Sequence, residues 1–358
     1  MKNIVLMVDS LVGGGAEISN LRLANAFVKK GYNVHLIIMK DVIDFDINKK
    51  IIFYSLHYKK KYINIINNLY YAYKLKSILK NIEINFGEIN LILGSLGLTH
   101  KLMNIIHSDK YHYVLHGTTT KAKLGNRTGI KRLIKLFHIK NLYNHKKLIC
   151  VSEGIKNDIL NTNITPILIK KIYNIFDFEK IKELSKETID IELPNSYIIH
   201  VGRFSKVKRH DILIKAFNLL DDKNLKLILL GDGEERDNII KLINNLNLSN
   251  RIILVGFKKN PYPYIENAKA LILSSDHEGL PTVLIESLIL NTLPISTSCP
   301  GSKEILSPEL ANCISKIGNF NDLALVINKN LDNETTVPTI LLKKFNENKI
   351  IKEYEELF

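Results

Sequence analysis

The chain has 358 residues, enough for two separate cores. With 46% hydrophobic residues it needs neither disulfides nor a structural metal to fold, and Cys150, Cys299 and Cys313 have no spacing that suggests either. No apolar run approaches the roughly 18 residues of a membrane span, while the net charge of +14 points to a phosphate-rich partner.

In chain order, the opening MKNIVLMVDS lacks a small-residue cleavage pattern and reads as a first strand, so the expected compartment is the cytosol. Short apolar runs follow at Ile4–Val8, Val34–Met39, Leu91–Leu93, Tyr113–Leu115 and Leu148–Val151. Helical segments such as Glu17–Lys30 and Ile63–Leu79 separate them. Such alternation predicts a parallel sheet with helices on both faces. Asp177–Ser196 is polar, partly helix-forming and ends in Leu193-Pro194-Asn195, which reads as a linker. The rhythm then restarts with Tyr197–Val201, Leu225–Leu230, Ile252–Val255, Ala270–Leu273 and Pro294–Thr297. The expected organisation is two doubly wound α/β domains, residues 1–176 and 177–338, facing across a cleft. Residues 339–358 read as a Lys/Glu-rich helix that could cross back to the first domain. Ligands belong at the carboxyl ends of the strands, against helix amino termini.

Charge is unevenly spread. No acidic residue lies between Asp109 and Glu153, or from Ile47 to Ile82, where Lys59-Lys60-Lys61 adjoins Tyr62, Tyr70, Tyr71 and Tyr73. Within the first gap, Ile130, Leu133, Ile134 and Phe137 recur at helical spacing, with Lys131, Arg132 and Lys135 between them. A basic amphipathic helix of this kind suits an anionic inner-membrane surface. An ordinary core-packed helix with a solvated basic face gives the same pattern. Nucleic acid is not expected, because no recognition fold or RNP-like aromatic motif is present.

Three stretches carry chemistry. Gly13-Gly14-Gly15-Ala16-Glu17 opens a helix after the first strand, where glycines let a ligand approach the backbone and the helix terminus attracts phosphate. The dinucleotide pattern GxGxxG would require glycine at Ile18, so a nicotinamide site is disfavoured. Gly202-Arg203-Phe204-Ser205-Lys206-Val207-Lys208-Arg209-His210-Asp211 follows a strand and puts Arg203 and Lys208 at its end. Two cations there suit a leaving diphosphate, on which charge grows. Ser274-Ser275-Asp276-His277-Glu278-Gly279-Leu280-Pro281-Thr282-Val283-Leu284-Ile285-Glu286 reads as strand end, turn and helix, with Pro281 at the first helical position. Glu278 can accept from sugar hydroxyls and Glu286 from a ribose diol, while amides around Gly279–Val283 face a phosphate. A helix cap for Glu278 and a solvated helix position for Glu286 are the plain alternatives.

Glu278 and Glu286, with seven residues between them, resemble the EX7E signature of the large retaining glycosyltransferase family with the GT-B fold. Gly202-Arg203…Lys208…Asp211 resembles that family's GR…K…D segment, and Gly13–Glu17 its amino-terminal glycine loop. Leu230-Gly231-Asp232-Gly233, Val151-Ser152 and Asn174…Asp177 fall where the family has similar pieces, so the resemblance spans about residues 3–330. It implies that Arg203 and Lys208 hold the diphosphate, Glu278 the donor sugar and Glu286 the ribose. Gly14, Gly15, Gly202, Gly279, Leu280, Thr282 and Val283 would complete the donor site. His116, in Leu115-His116-Gly117, would lie near the reacting carbon; a satisfied structural histidine is the competing reading. The implied reaction moves a sugar from a nucleotide-sugar, UDP rather than GDP by preference, to a glycan or lipid-linked acceptor, with no metal or other cofactor. A sugar-nucleotide epimerase or hydrolase of the same fold is the alternative. One departure stands out: Cys299-Pro300-Gly301-Ser302-Lys303-Glu304 is shorter than the corresponding loop of many family members.

Overall fold

A computed structural model describes the chain except residues 13, 61–63, 125–127 and 334, and the side chains at 64 and 121–123. Gly13, Lys61, Tyr62 and Arg127 therefore lie outside the described residues. The chain divides into two compact units: Met1–Phe176 with Phe345–Phe358, and Asp177–Lys344.

In the first unit the described strands are β1 (Asn3–Val8), β2 (Asn33–Ile38), β3 (Ile52–Ser55), β4 (Ile89–Ser95), β5 (Tyr111–Leu115), β6 (Lys147–Cys150) and β7 (Leu168–Lys171). They form one parallel sheet in the order β3-β2-β1-β4-β5-β6-β7. Helices α1 (Gly15–Lys29), α2 (Asn64–Phe86), α3 (Gly97–Ile106), α4 (Thr119–Leu124), α5 (Gly129–Tyr143) and α6 (Glu153–Leu160) connect them. β1 is buried at every position, as expected of a strand covered on both faces. Ser152 starts α6 by accepting from Ile155 N at 3.2 Å.

The second unit opens where Asp177 caps α7 (Phe178–Leu184), accepting from Lys180 N at 3.1 Å. Its sheet runs β10-β9-β8-β11-β12-β13, from β8 (Tyr197–Val201), β9 (Lys226–Leu230), β10 (Ile252–Gly256), β11 (Ala270–Leu273), β12 (Leu293–Thr297) and β13 (Ile314–Ser315). The helices are α8 (His210–Asn218), α9 (Arg236–Asn245), α10 (Tyr262–Glu266), α11 (Thr282–Ile289), α12 (Pro300–Leu306) and α13 (Phe320–Asp332). Strand order reverses between β1 and β4 in one sheet and between β8 and β11 in the other. The crevice at such a switch point is where doubly wound folds take ligands.

Three strands absent from the sequence reading, β3, β7 and β13, lie at sheet edges or are two residues long. The tail is not one helix. Thr339–Phe345 forms a 3₁₀ turn, and Asn346 then caps α14 (Glu347–Glu355) through Lys349 N at 3.1 Å. Lys344 Nζ donates to Glu304 O and Ile305 O at 2.6 and 2.9 Å, ending the second unit six residues beyond the expected 338. Phe345 then packs on Tyr173 and Phe176, and Tyr354 on Phe27, within the first unit.

Candidate functional site

The second unit gathers its chemistry at the β8/β11 switch point. β8 runs into Gly202, and a 3₁₀ turn at Lys206–Lys208 then leads through Arg209 into α8. β11 runs into Ser274, and the turn after it leads to α11, which begins at Thr282 with Pro281 one position earlier than expected, as its N-cap. The two turns are fastened together. Asp276 N donates to Val207 O at 2.9 Å, and Ser274 Oγ to Lys208 O at 2.8 Å. From β12, Thr297 Oγ1 donates to Ser275 O at 2.6 Å.

This fastening brings Lys208 and Glu278 together across 70 residues of sequence. Lys208 Nζ donates to Glu278 Oε1 at 2.6 Å, and Ser275 Oγ donates to the same oxygen at 2.6 Å. Gly202 borders the pair: a Cβ there would stand 3.5 Å from Lys208 Cε. Glu286 is buried in α11 rather than solvated. Leu280 is buried, and Gly279, Thr282 and Val283 are half-buried around the start of α11. Arg203 is not drawn into the cluster; its side chain is 77% exposed, with Glu234 Oε2 3.6 Å away.

Two glycines shape the site by close approach. A Cβ on Gly231, whose φ is +147°, would lie 2.0 Å from Gly202 O, and one on Gly301 2.5 Å from Gly279 O. Beneath the first turn lie two buried imidazoles, His200 and His210, with ring centroids 4.6 Å apart. His200 donates from Nδ1 to Ile272 O at 2.8 Å. Burial, with Lys208's charge, holds His200 down to about 4; burial, His200 and Lys208 hold His210 down to about 2. Both are neutral near pH 7, which leaves Lys208's charge unopposed from below.

The first unit has its own recess at the β1/β4 switch point. Ser19 and Asn20 of α1, Ser95 at the end of β4, His116 after β5, Asn174 and Tyr354 line it. Asp9, following β1, starts α3 by accepting from Leu98 N and Thr99 N at 3.0 and 2.8 Å. Ser95 Oγ lies 3.2 Å from both Asn20 Oδ1 and His116 Nε2. His116 Nδ1 is buried with no partner among the described residues, and burial lowers the ring to about 4. His116 is thus a neutral imidazole able to accept or donate one hydrogen bond. Gly14 precedes α1 and Gly15 begins it; the Glu17 carboxylate lies so close that a Cβ on Gly14 would stand 2.3 Å from Glu17 Oε2. Burial raises Glu17 above its ordinary value.

Among the described residues no group of three or more His, Cys, Asp or Glu side chains could hold a metal ion, and no helix is long and apolar enough to cross a membrane. On α5, Ile130, Leu133, Ile134 and Phe137 are each more than half exposed, so the core-packed reading of that helix does not hold in this unit. Lys131 and Arg132 are exposed beside them and Lys135 is half-buried.

The sequence profile of the glycosyl transferases group 1 matches residues 181–351, and that of glycosyltransferase family 4 matches residues 13–180. The chain belongs to the group 1 glycosyltransferases. The group 1 chain is 29% identical over 329 residues to the Campylobacter jejuni N-acetylgalactosamine-N,N'-diacetylbacillosaminyl-diphospho-undecaprenol 4-alpha-N-acetylgalactosaminyltransferase, covering 90% of this chain and 88% of that one. It is 21% identical to the Bacillus anthracis N-acetyl-alpha-D-glucosaminyl L-malate synthase, covering 96% and 93%. Among solved structures, Anabaena HepE in complex with UDP and glucose gives a TM-score of 0.76 at 19% identity over 99% of both chains. Sucrose-phosphate synthase from Thermosynechococcus elongatus gives 0.78 at 18% identity, covering 100% of this chain and 98% of that one. Both likenesses identify the fold as GT-B, two Rossmann-like domains.

The sequence reading missed the hydrogen bonds that Asp9 accepts from α3, the Asn20–Ser95 contact and the part played by Arg209. Asp9 had a local signal, an acid directly after a strand. The link from Arg209 to Asp276 had none, because the two residues are 67 apart in sequence.

Proposed function

We propose that this group 1 glycosyltransferase moves a hexose or N-acetylhexosamine from a UDP-sugar, with retention, to a lipid-linked or cell-surface glycan acceptor such as a lipopolysaccharide, O-antigen or capsule precursor. The observation that carries the reading is the Lys208–Glu278 pair at the β8/β11 switch point, beside Gly202 and the start of α11. A cation for a diphosphate and a carboxylate for sugar hydroxyls stand together there. Arg203 adds a second cation, Glu286 takes the ribose, and Gly279, Leu280, Thr282 and Val283 present the α11 terminus to phosphate. Gly14 and Gly15 do the same at α1, and His116 accepts or donates to a hydroxyl at the reacting centre.

Front-face transfer fits the Lys208–Glu278 pair, which sets a cation for the departing diphosphate beside a carboxylate for the sugar. The bond from the anomeric carbon to the diphosphate breaks, the bond to the acceptor oxygen forms on the same face, and the acceptor proton passes to the departing phosphate oxygen. Catalysis is then positioning and charge stabilisation by Lys208 and Arg203, without a metal. The donor is supported by HepE, solved with UDP and glucose. The acceptor class is supported by the Campylobacter jejuni relative, named for a diphospho-undecaprenol substrate.

The acceptor side carries the membrane reading. α3 packs against both α2 and α5. On α2, Ile65, Ile66, Tyr70 and Tyr73 are more than half exposed, adding to the exposed apolar face of α5. α5 lies wholly in an acid-free stretch and α2 carries one acid, Glu83, close to its end, so this side suits the anionic cytoplasmic face of an inner membrane.

The test is a screen of UDP- and GDP-sugars for protection against thermal unfolding, followed by product analysis with and without a lipid-linked acceptor. A ligand at about 100 times its Kd adds roughly 2.7 kcal/mol of stability. Turnover of the donor that is indifferent to acceptor would favour the hydrolase or epimerase alternative.

A further inference from the structure

Arg209 occupies a backbone position that its residue type does not favour. Its φ and ψ are +50° and +50°, the left-handed region, between the Lys206–Lys208 turn and α8. Glycine would take that conformation without cost, whereas a Cβ is disfavoured there. The arginine is held by its side chain. Nε and Nη2 donate to Asp211 Oδ1 and Oδ2, both at 2.9 Å, in a two-pronged fork. The remaining arm, Nη1, donates to Asp276 Oδ1 at 2.9 Å. Asp276 stands two residues before Glu278, and its amide is already bonded to Val207 O.

We propose that Arg209 is a positioning residue for the donor site, tying the Asp276–Glu278 turn to the Lys206–Lys208 turn so that Lys208 and Glu278 meet. Asp211 orients the guanidinium and Asp276 receives it. The carboxylate that Arg209 grips thus sits on the same turn as the one that Lys208 grips. Arginine is suited to this and lysine is not, because only a planar guanidinium can fork onto one carboxylate and still reach a second. The proposal rests on the donor-site reading above.

The test compares wild type with R209G, which keeps the left-handed backbone and removes the side chain, and with R209K, which keeps the charge without the fork. Hydrogen exchange of the ligand-free proteins is followed over residues 274–280, and UDP binding is measured by calorimetry. In R209G, exchange over 274–280 should speed up about tenfold while the rest of the second unit stays protected, and the UDP Kd should rise about tenfold, with R209K between. Melting temperature should stay near that of wild type. Unchanged exchange over 274–280 overturns the proposal. So does faster exchange spread evenly through the unit with a lower melting temperature, because Arg209 would then be a general stabiliser. Wild type that binds no UDP would count against the donor reading instead, while the exchange measurement still decides whether Arg209 fixes the turn.

Discussion

Lys208 Nζ lies 2.6 Å from Glu278 Oε1, and the two side chains are only 20% and 15% exposed. The cation expected to meet a diphosphate and the carboxylate expected to meet a sugar neutralise each other. A donor must therefore exchange this ion pair for two new sets of contacts. Removing one partner leaves the other charge partly buried and uncompensated, which costs more than losing the pair as a unit.

Lys208→Ala and Glu278→Ala should each lower kcat/KM by about 10²-fold, as expected when a transition-state charge contact is lost. The double variant should be little worse than either single one, because the residues act together. Each single variant should also lose about 1–2 kcal/mol of stability, part of which the double variant recovers. Steady-state transfer rates and denaturant titrations read all three quantities. Transfer near the wild-type rate in both single variants would remove the pair from the donor site.

The buried histidines set a pH dependence of stability. His200 is held down to about 4 and His210 to about 2, mainly by burial, against an unfolded value near 6.5. Groups with lowered folded values bind more protons when unfolded. Their stabilisation is therefore complete above pH 6.5 and is lost as pH falls toward 4, at about 1.4 kcal/mol per pH unit for each histidine. Neither ring nitrogen of His210 has a partner among the described residues. His210→Phe should thus raise stability at pH 7 by about 1 kcal/mol. It should also make the fall between pH 6.5 and 5 shallower by one histidine. Urea midpoints at pH 7, 6 and 5 decide it, and an unaltered slope in the variant would refute the assignment.

Metal independence is the third expectation. A diphosphate held by Lys208, Arg203 and the amides at the start of α11 needs no bridging cation. Transfer should continue unchanged in excess EDTA. Complete loss, restored by Mn²⁺ or Mg²⁺, would require a different mechanism.

The central strands were legible because burial on both faces writes itself as an unbroken apolar run. Tyr197–Val201 and Ala270–Leu273 match their strands to the residue. Edge strands carry no such mark. In β7, Leu168-Ile169-Lys170-Lys171 is half-buried throughout and alternates with nothing. The site was legible where a motif holds its residues close in sequence, as with Glu278 and Glu286. The bond from Arg209 to Asp276 was not, because local sequence does not say which distant carboxylate a guanidinium will reach. Periodicity on α5 marked an apolar face correctly but could not say whether protein or solvent covers it, since both give the same spacing.

That exposed face leads to the last prediction. Ile130, Leu133, Ile134 and Phe137 stand more than half exposed beside Lys131, Arg132 and Lys135, in a stretch free of acidic residues. Each cation near an anionic surface contributes about 1 kcal/mol, so the three together contribute up to about 3 kcal/mol. Replacing Lys131, Arg132 and Lys135 with Gln should weaken binding to vesicles containing anionic lipid by about two orders of magnitude. The difference should shrink as salt shortens the Debye length. Leu133→Ser with Phe137→Ser should weaken binding too, and that loss should persist in high salt because apolar burial is not screened. UDP binding should be unchanged in both variants, since Lys208 and Glu278 belong to the other unit. Co-sedimentation with liposomes of defined composition reads both effects. If both variants sediment like wild type at every salt concentration, the apolar face of α5 serves another partner and the acceptor is reached from solution.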